Sequence, residues 1–145
     1  MRTATKGFTL LELVITLAII ATLAVFAVPA YRSHVARTHR IDAAAALYRA
    51  AQFVEQAASS AVSALPPGMD QAPQFGAPIY LLRVLPANDT NGGYSIEAAP
   101  SEAGPARDDV CGIFTLDATG QRGNRNSNTG ANAIAPSSGE CWNTN

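Results

Sequence analysis

"KGFTLLELVITLAIIATLAVFAVPAY", residues 6–31, decides how the rest of the chain is read. From Phe8 to Ala30 it is a long apolar run whose one charge is Glu12. As a helix rising 1.5 Å per residue the run is about 35 Å long, enough to cross a hydrocarbon core of about 30 Å. Arg2 and Lys6 precede it, which favours a cytoplasmic N-terminus and an exported remainder. An ordinary secretory signal, a plain single-pass anchor and a buried core helix all share parts of this composition, and "VFA" and "VPA" would serve as small-residue cleavage sites. Glu12 fits none of the three. An acid inside an apolar span costs about 2.5–3.5 kcal/mol on insertion scales and needs a partner. No basic side chain of the run lies one turn away. A cut after Gly7 would supply one, because it frees an α-amino group on Phe8, four residues before Glu12. Glycine suits such a cut, since it leaves the backbone unobstructed for a protease.

The same stretch resembles the N-terminus of a type IV pilin: a short basic leader ending in glycine, then Phe-Thr-Leu-x-Glu, then a long apolar helix with a proline near its end. Gly7, Phe8, Thr9, Leu10, Glu12 and Pro29 carry the match. The resemblance implies removal of residues 1–7 by a prepilin peptidase, which also methylates Phe8, and docking of the subunit onto a growing filament through Glu12. It implies that residues 8–30 form the membrane and filament-core helix, and that residues 31–145 form an exported globular domain.

Helical periodicity continues past the apolar run. Ile41, Ala44, Tyr48, Ala51, Val54, Ala58 and Val62 recur at steps of three and four, which predicts one apolar stripe on a helix reaching about Ser63. "LPPG" at 65–68 stops it. The basic stretch "RSHVARTHR" at 32–40 reads as a solvated helix face. His34 and His39 are five apart, the wrong step for a shared metal on one face.

From residue 66 onward proline, glycine and asparagine punctuate short apolar runs. "PIYLLRVL" (78–85) reads as a strand or a short helix. "YSIEAA" (94–99) follows the turn "NDTNGG", and "VCGIFTLD" (110–117) ends at the hairpin-like "ATGQRG". These predict an antiparallel sheet of three to four strands packed on the amphipathic half of the helix, an α+β architecture. After Gly123 the chain is polar, with little to form a core. The two cysteines, Cys111 and Cys141, bracket this region; a bond between them would close about 30 residues and stabilise by about 3.6 kcal/mol. An exported location permits it. The resemblance to pilins implies the same C-terminal disulfide loop. "RTHRIDAAAALYRAAQFVEQ" and "CGIFTLDATGQRG…CWN" are similar to the minor-pilin branch close to the major pilus subunit, whereas residues 66–92 carry no part of the likeness.

No catalytic constellation, phosphate loop or metal spacing accompanies these elements, so no enzyme activity, cofactor or metal is expected. The expected function is assembly. A minor subunit of a type IV pilus would work with other pilin subunits, a prepilin peptidase and the inner-membrane assembly machinery, in pilus biogenesis, adhesion and twitching motility. A major pilin or a type II secretion pseudopilin is the alternative within the fold. A different class of alternative is a pilus-displayed DNA receptor for natural transformation, using Arg107, Arg122 and Arg125. Without Arg2 and Lys6 the 10 basic residues fall to 8 against 11 acidic, a net charge of −3, which supplies no broad attraction for DNA.

Overall fold

The computed structural model describes residues 7–57, 62–125 and 138–142. Its first element, α1, runs Leu10–Gln56 with Pro29 inside it. It is the one helix among the described residues long and apolar enough to cross a membrane. The chain divides into two compact units at Val35/Ala36.

In the first unit the apolar side chains of α1, from Leu10 to Val28, are exposed. The helix starts on a cap: Thr9 Oγ1 accepts the backbone N–H of Glu12 at 3.2 Å, one of the donors that a helix start leaves without an internal partner. Glu12 therefore sits in the first turn, where the helix dipole favours an acid. Further along, the hydroxyls of Thr16, Thr22 and Ser33 donate to backbone carbonyls three or four residues back, at 2.8–2.9 Å.

The second unit holds the C-terminal half of α1 and a sheet of five strands: β1 (Gln71–Ala72), β2 (Tyr80–Leu85), β3 (Ser95–Pro100), β4 (Ile113–Asp117) and β5 (Arg122–Arg125). They pair antiparallel in chain order, a meander. The expected α+β arrangement of a long helix on an antiparallel sheet is observed. "PIYLLRVL" resolves as strand β2. The sheet exceeds three to four strands because two-residue β1 and the arginine-rich β5 carry almost no apolar pattern.

The helix stripe agrees with the expected one at Ala51 and Val54 and differs before them, and α1 ends at Gln56, short of the expected Ser63, so Val62 lies outside the helix. Ala43, Ala46, Leu47, Ala50, Ala51 and Val54 face the core, whereas Ile41 and Tyr48 are exposed and Ala44 is half-buried. Alanine's small side chain lets helix and sheet approach closely, so a face of alanines around Leu47 packs better than the bulkier one through Ile41 and Tyr48. Ala58, also placed on the expected stripe, lies outside the described residues. From the sheet, Tyr80, Leu82, Ile96, Ala98, Phe114 and Leu116 fill the core. Its aromatic centre is Phe114, edge-on to Tyr80 at 5.9 Å and to Trp142 at 5.4 Å.

Cys111 and Cys141 are bonded, both buried, with Cα atoms 5.7 Å apart. Cys141 ends the short helix α2 (Ser138–Cys141). The next residue, Trp142, donates its indole N–H to the carbonyl of Gly123 on β5 at 3.1 Å. The disulfide and the indole thus fix the C-terminal segment to the turn before β4 and to strand β5. At the opposite end, Gly92 lies at φ +71°, where a Cβ would come within 2.7 Å of Thr119 Cγ2. Glycine allows the β2–β3 loop to close against the β4–β5 turn, and Ala118 N–H reaches the carbonyls of Asn91 and Tyr94 there.

One ion pair ties helix to loop. Arg40 on α1 donates Nε and Nη2 to the two carboxylate oxygens of Asp109, at 2.8 and 2.7 Å. The hydrogen bond to Asp109 raises the Arg40 pKa above its ordinary value against the opposing effect of burial. Asp109 also accepts the backbone N–H of Cys111 at 3.0 Å. Burial, and then the nearby Asp109 charge, pushes the Tyr80 hydroxyl well above its ordinary range.

Candidate functional site

Two sets of residues matter: the N-terminal processing and assembly set, and the basic residues of the sheet. Gly7 and Phe8 precede the first helical turn, exposed and in non-helical backbone. Glu12 follows one turn later with its backbone N–H already capped.

The three arginines marked in the sequence do not form one face. Arg107 lies in the loop before β4 and contacts its exposed neighbour Asp108 at 3.4 Å. Arg122 and Arg125 sit on the same strand three residues apart, so their side chains leave opposite faces of the sheet. Arg122 pairs in register with core residue Leu116 and places its guanidinium 5.9 Å from the Trp142 ring centroid. Arg125 takes the other face, where its Nη2 donates to Glu97 Oε1 at 2.6 Å.

Glu97 organises that outer face. It is opposite Arg83 on β2 and opposite Thr115 on β4. Arg83 donates Nε and Nη2 to Glu97 Oε2 at 2.9 and 2.7 Å. The carboxylate is 5% exposed, while the arginine side chains are 61% and 46% exposed. A buried acid thus holds two guanidiniums by charge-assisted bonds, and among the described residues their remaining N–H groups have no other partner and can meet an anion. The trio carries a net positive charge and its geometry is set in advance. Arg83 and Glu97 were not singled out in the sequence. Their signal was present: each is the lone charge in an apolar strand run, and two such charges on neighbouring strands can meet only if register places them opposite.

Glu55, on α1, accepts the Tyr94 hydroxyl at 3.1 Å. Burial, and then that bond, pushes Tyr94 up to about 12. Together with Tyr48, Gln52 and Asp117 they line a cleft of about 150 Å³. Partial burial works upward on the Asp117 carboxyl, but hydrogen bonds from Thr119 and Gln121 outweigh it and hold the group below its ordinary range. This cleft is acidic, and its lining has no cation for a phosphate. No group of three or more potential ligands for a metal ion occurs among the described residues.

The apolar helix, the five-stranded meander and the C-terminal disulfide define a pilin. The comparison with known families agrees. A family model described as "Prokaryotic N-terminal methylation motif" matches residues 2–28. A second, described as "Type IV minor pilin ComP, DNA uptake sequence receptor", matches residues 29–127. That span is more than half of the 145 residues, and the chain belongs to this family of type IV minor pilins. Among curated proteins, the type IV major fimbrial protein FimA of Dichelobacter nodosus strain VCS1703A is 58% identical over 38 residues, 26% of this chain and 24% of that protein. Another D. nodosus protein, named fimbrial protein, is 50% identical over 42 residues, 29% of this chain and 26% of its own length. The matched part thus spans about a quarter of each of these relatives. Pilins are a structural family, consistent with an assembly role.

Proposed function

We propose that this chain is a minor subunit of a type IV pilus that binds DNA at the pilus surface. The observation that carries the reading is the family match across residues 29–127, whose description names a DNA uptake sequence receptor. DNA binding, an alternative of another class on the sequence alone, thereby becomes the first reading. In this account a prepilin peptidase cuts after Gly7 and methylates Phe8, and Glu12 pairs with the new amine during assembly. Other pilin subunits and the inner-membrane machinery receive the apolar helix, with residues 31–145 displayed outside.

The charge distribution supports a local site over a broad one. A net charge of −3 after leader removal repels a polyanion at long range. Binding must then rest on a few placed cations, and Arg83 and Arg125 are already oriented by Glu97. Arg122 and Arg107 are further candidates on other surfaces. The test is fluorescence anisotropy of the full chain in detergent micelles against short duplexes selected by the protein from a randomised pool. Affinity should fall with salt along a shallow slope, and Arg83→Gln should reduce the slope of log K against log salt by about 1. Failure to select any duplex refutes the DNA reading and leaves a purely structural minor pilin.

A further inference from the structure

Residues 73–77, "PQFGA", connect β1 to the approach of β2 and present a large apolar side chain to solvent. Phe75 is 82% exposed, the most exposed large hydrophobic residue in the second unit among the described residues. The loop around it is tightly built. The side-chain amide of Gln71 donates to three carbonyls of the loop: Pro73 at 3.2 Å, Gln74 at 3.4 Å and Gly76 at 3.2 Å. Ile79 N–H closes the base onto the Ala72 carbonyl at 2.8 Å, and Leu82 N–H reaches Asp70 O at 2.7 Å. Gly76, at φ +94°, supplies the left-handed residue that the reversal needs. None of these bonds involves the phenyl ring. Folding therefore accounts for the shape of the loop but not for the ring it displays.

The location narrows what the ring can meet. Gln71 is opposite Leu81, so its side chain lies on the sheet face that carries Leu81 and Arg83. Leu81 is itself about half exposed. The loop that displays Phe75 is thus anchored, through Gln71, on the face that carries the aliphatic Leu81 and a guanidinium already oriented by a buried carboxylate. Rings that stack on or wedge between bases, set beside cations that meet phosphates, are a recurrent way of holding DNA.

We propose that Phe75 is a DNA-contacting wedge, its ring stacking on bases while Arg83 holds the adjoining backbone. The inference rests on the DNA reading above and adds the residue that engages bases. Preorganisation matters here, because the loop backbone that carries the ring is already closed and only the side chain has freedom to lose on binding.

The experiment uses the full chain in detergent micelles and the duplexes that the parent protein selects, with each single strand tested in parallel. Phe75→Ala should weaken binding about 5- to 150-fold, the cost of one lost base stack. Its salt slope should match the parent, since no phosphate contact is removed, whereas Arg83→Gln should lower the slope by about 1. Phe75→Trp should retain parent affinity. The denaturation midpoint of Phe75→Ala should equal the parent's, because the exposed ring packs on nothing. Equal affinity of Phe75→Ala and parent for the selected duplexes and strands overturns the inference while leaving the DNA reading intact. The same holds if Phe75→Ala keeps DNA affinity but is lost from sheared pili, which would make the ring a contact with another subunit. A parent that selects no duplex refutes the DNA reading and this inference together.

Discussion

Replacing Arg40 by leucine tests the strongest electrostatic claim about the fold. Arg40 and Asp109 are 69 residues apart in sequence and meet through two short hydrogen bonds. The arginine side chain is 21% exposed and the aspartate 4%. Arg40→Leu keeps an apolar stem on the helix and strands a carboxylate away from water. Removing one member of a buried pair costs about 3–5 kcal/mol, much of it the penalty of the charge left behind. Asp109 retains one bond, from Cys111 N–H, so the lower part of that range applies. The double variant Arg40→Leu/Asp109→Asn removes both charges and keeps an oxygen acceptor for Cys111. It should recover most of the loss, to within about 1 kcal/mol of the parent, because a neutral pair leaves no stranded charge. Trp142, the sole tryptophan, reports from the core, so its emission during denaturant titration of the full chain in micelles measures both variants. A single variant costing under about 1 kcal/mol, or a double no better than the single, would refute the reasoning.

Four further outcomes are expected. Mass spectrometry of the membrane-extracted protein should find a mature chain beginning at a methylated Phe8; a start at Val28 or Tyr31 would point to an ordinary secretory signal. Glu12→Val should leave cleavage intact but lower the ratio of this protein in sheared pili to that in membranes, with Glu12→Gln intermediate; the Thr9 cap survives in both, since it bonds the backbone of residue 12. Equal incorporation of all three forms would remove the pairing account. Reducing the Cys111–Cys141 bond should cost about 3.6 kcal/mol, read as a shift in the Trp142 denaturation midpoint. The depressed Asp117 carboxyl contributes stability that is complete above the ordinary carboxylate range and lost as pH falls through its lowered value. Acid should therefore lower the parent's denaturation midpoint more than that of Asp117→Asn; identical acid sensitivity would contradict it.

What the sequence discloses depends on how far apart the interacting residues lie. The Gly7–Phe8–Glu12 spacing and the apolar run are local, and so are the three strand segments with their turn signals. The helix face was displaced because alanine-rich stretches carry weak periodicity, and the choice between Leu47 and Tyr48 belongs to the sheet that covers them. Arg83–Glu97–Arg125 is a product of strand register and Arg40–Asp109 of a loop packed on the helix, and no local pattern joins their members. Arg122 and Arg125 looked like one basic patch until strand geometry sent them to opposite faces. Phe75 was unreadable for another reason: an exposed ring in a proline–glycine segment looks like any loop residue until the Gln71 bonds are seen.

The hydroxyls of Thr16, Thr22 and Ser33 have a consequence for transfer between environments. Each donates to its own helix, so none of them asks for a partner outside it. Such a helix is indifferent to whether hydrocarbon tails or other helices surround these three positions, since no hydroxyl must be desolvated or re-paired on the way. Moving it from lipid into a bundle then turns on close packing of its sides and on a single carboxylate. In the proposed assembly, discrimination is concentrated at Glu12 in the first turn, because the side chains from Leu13 to Tyr31 carry no charge.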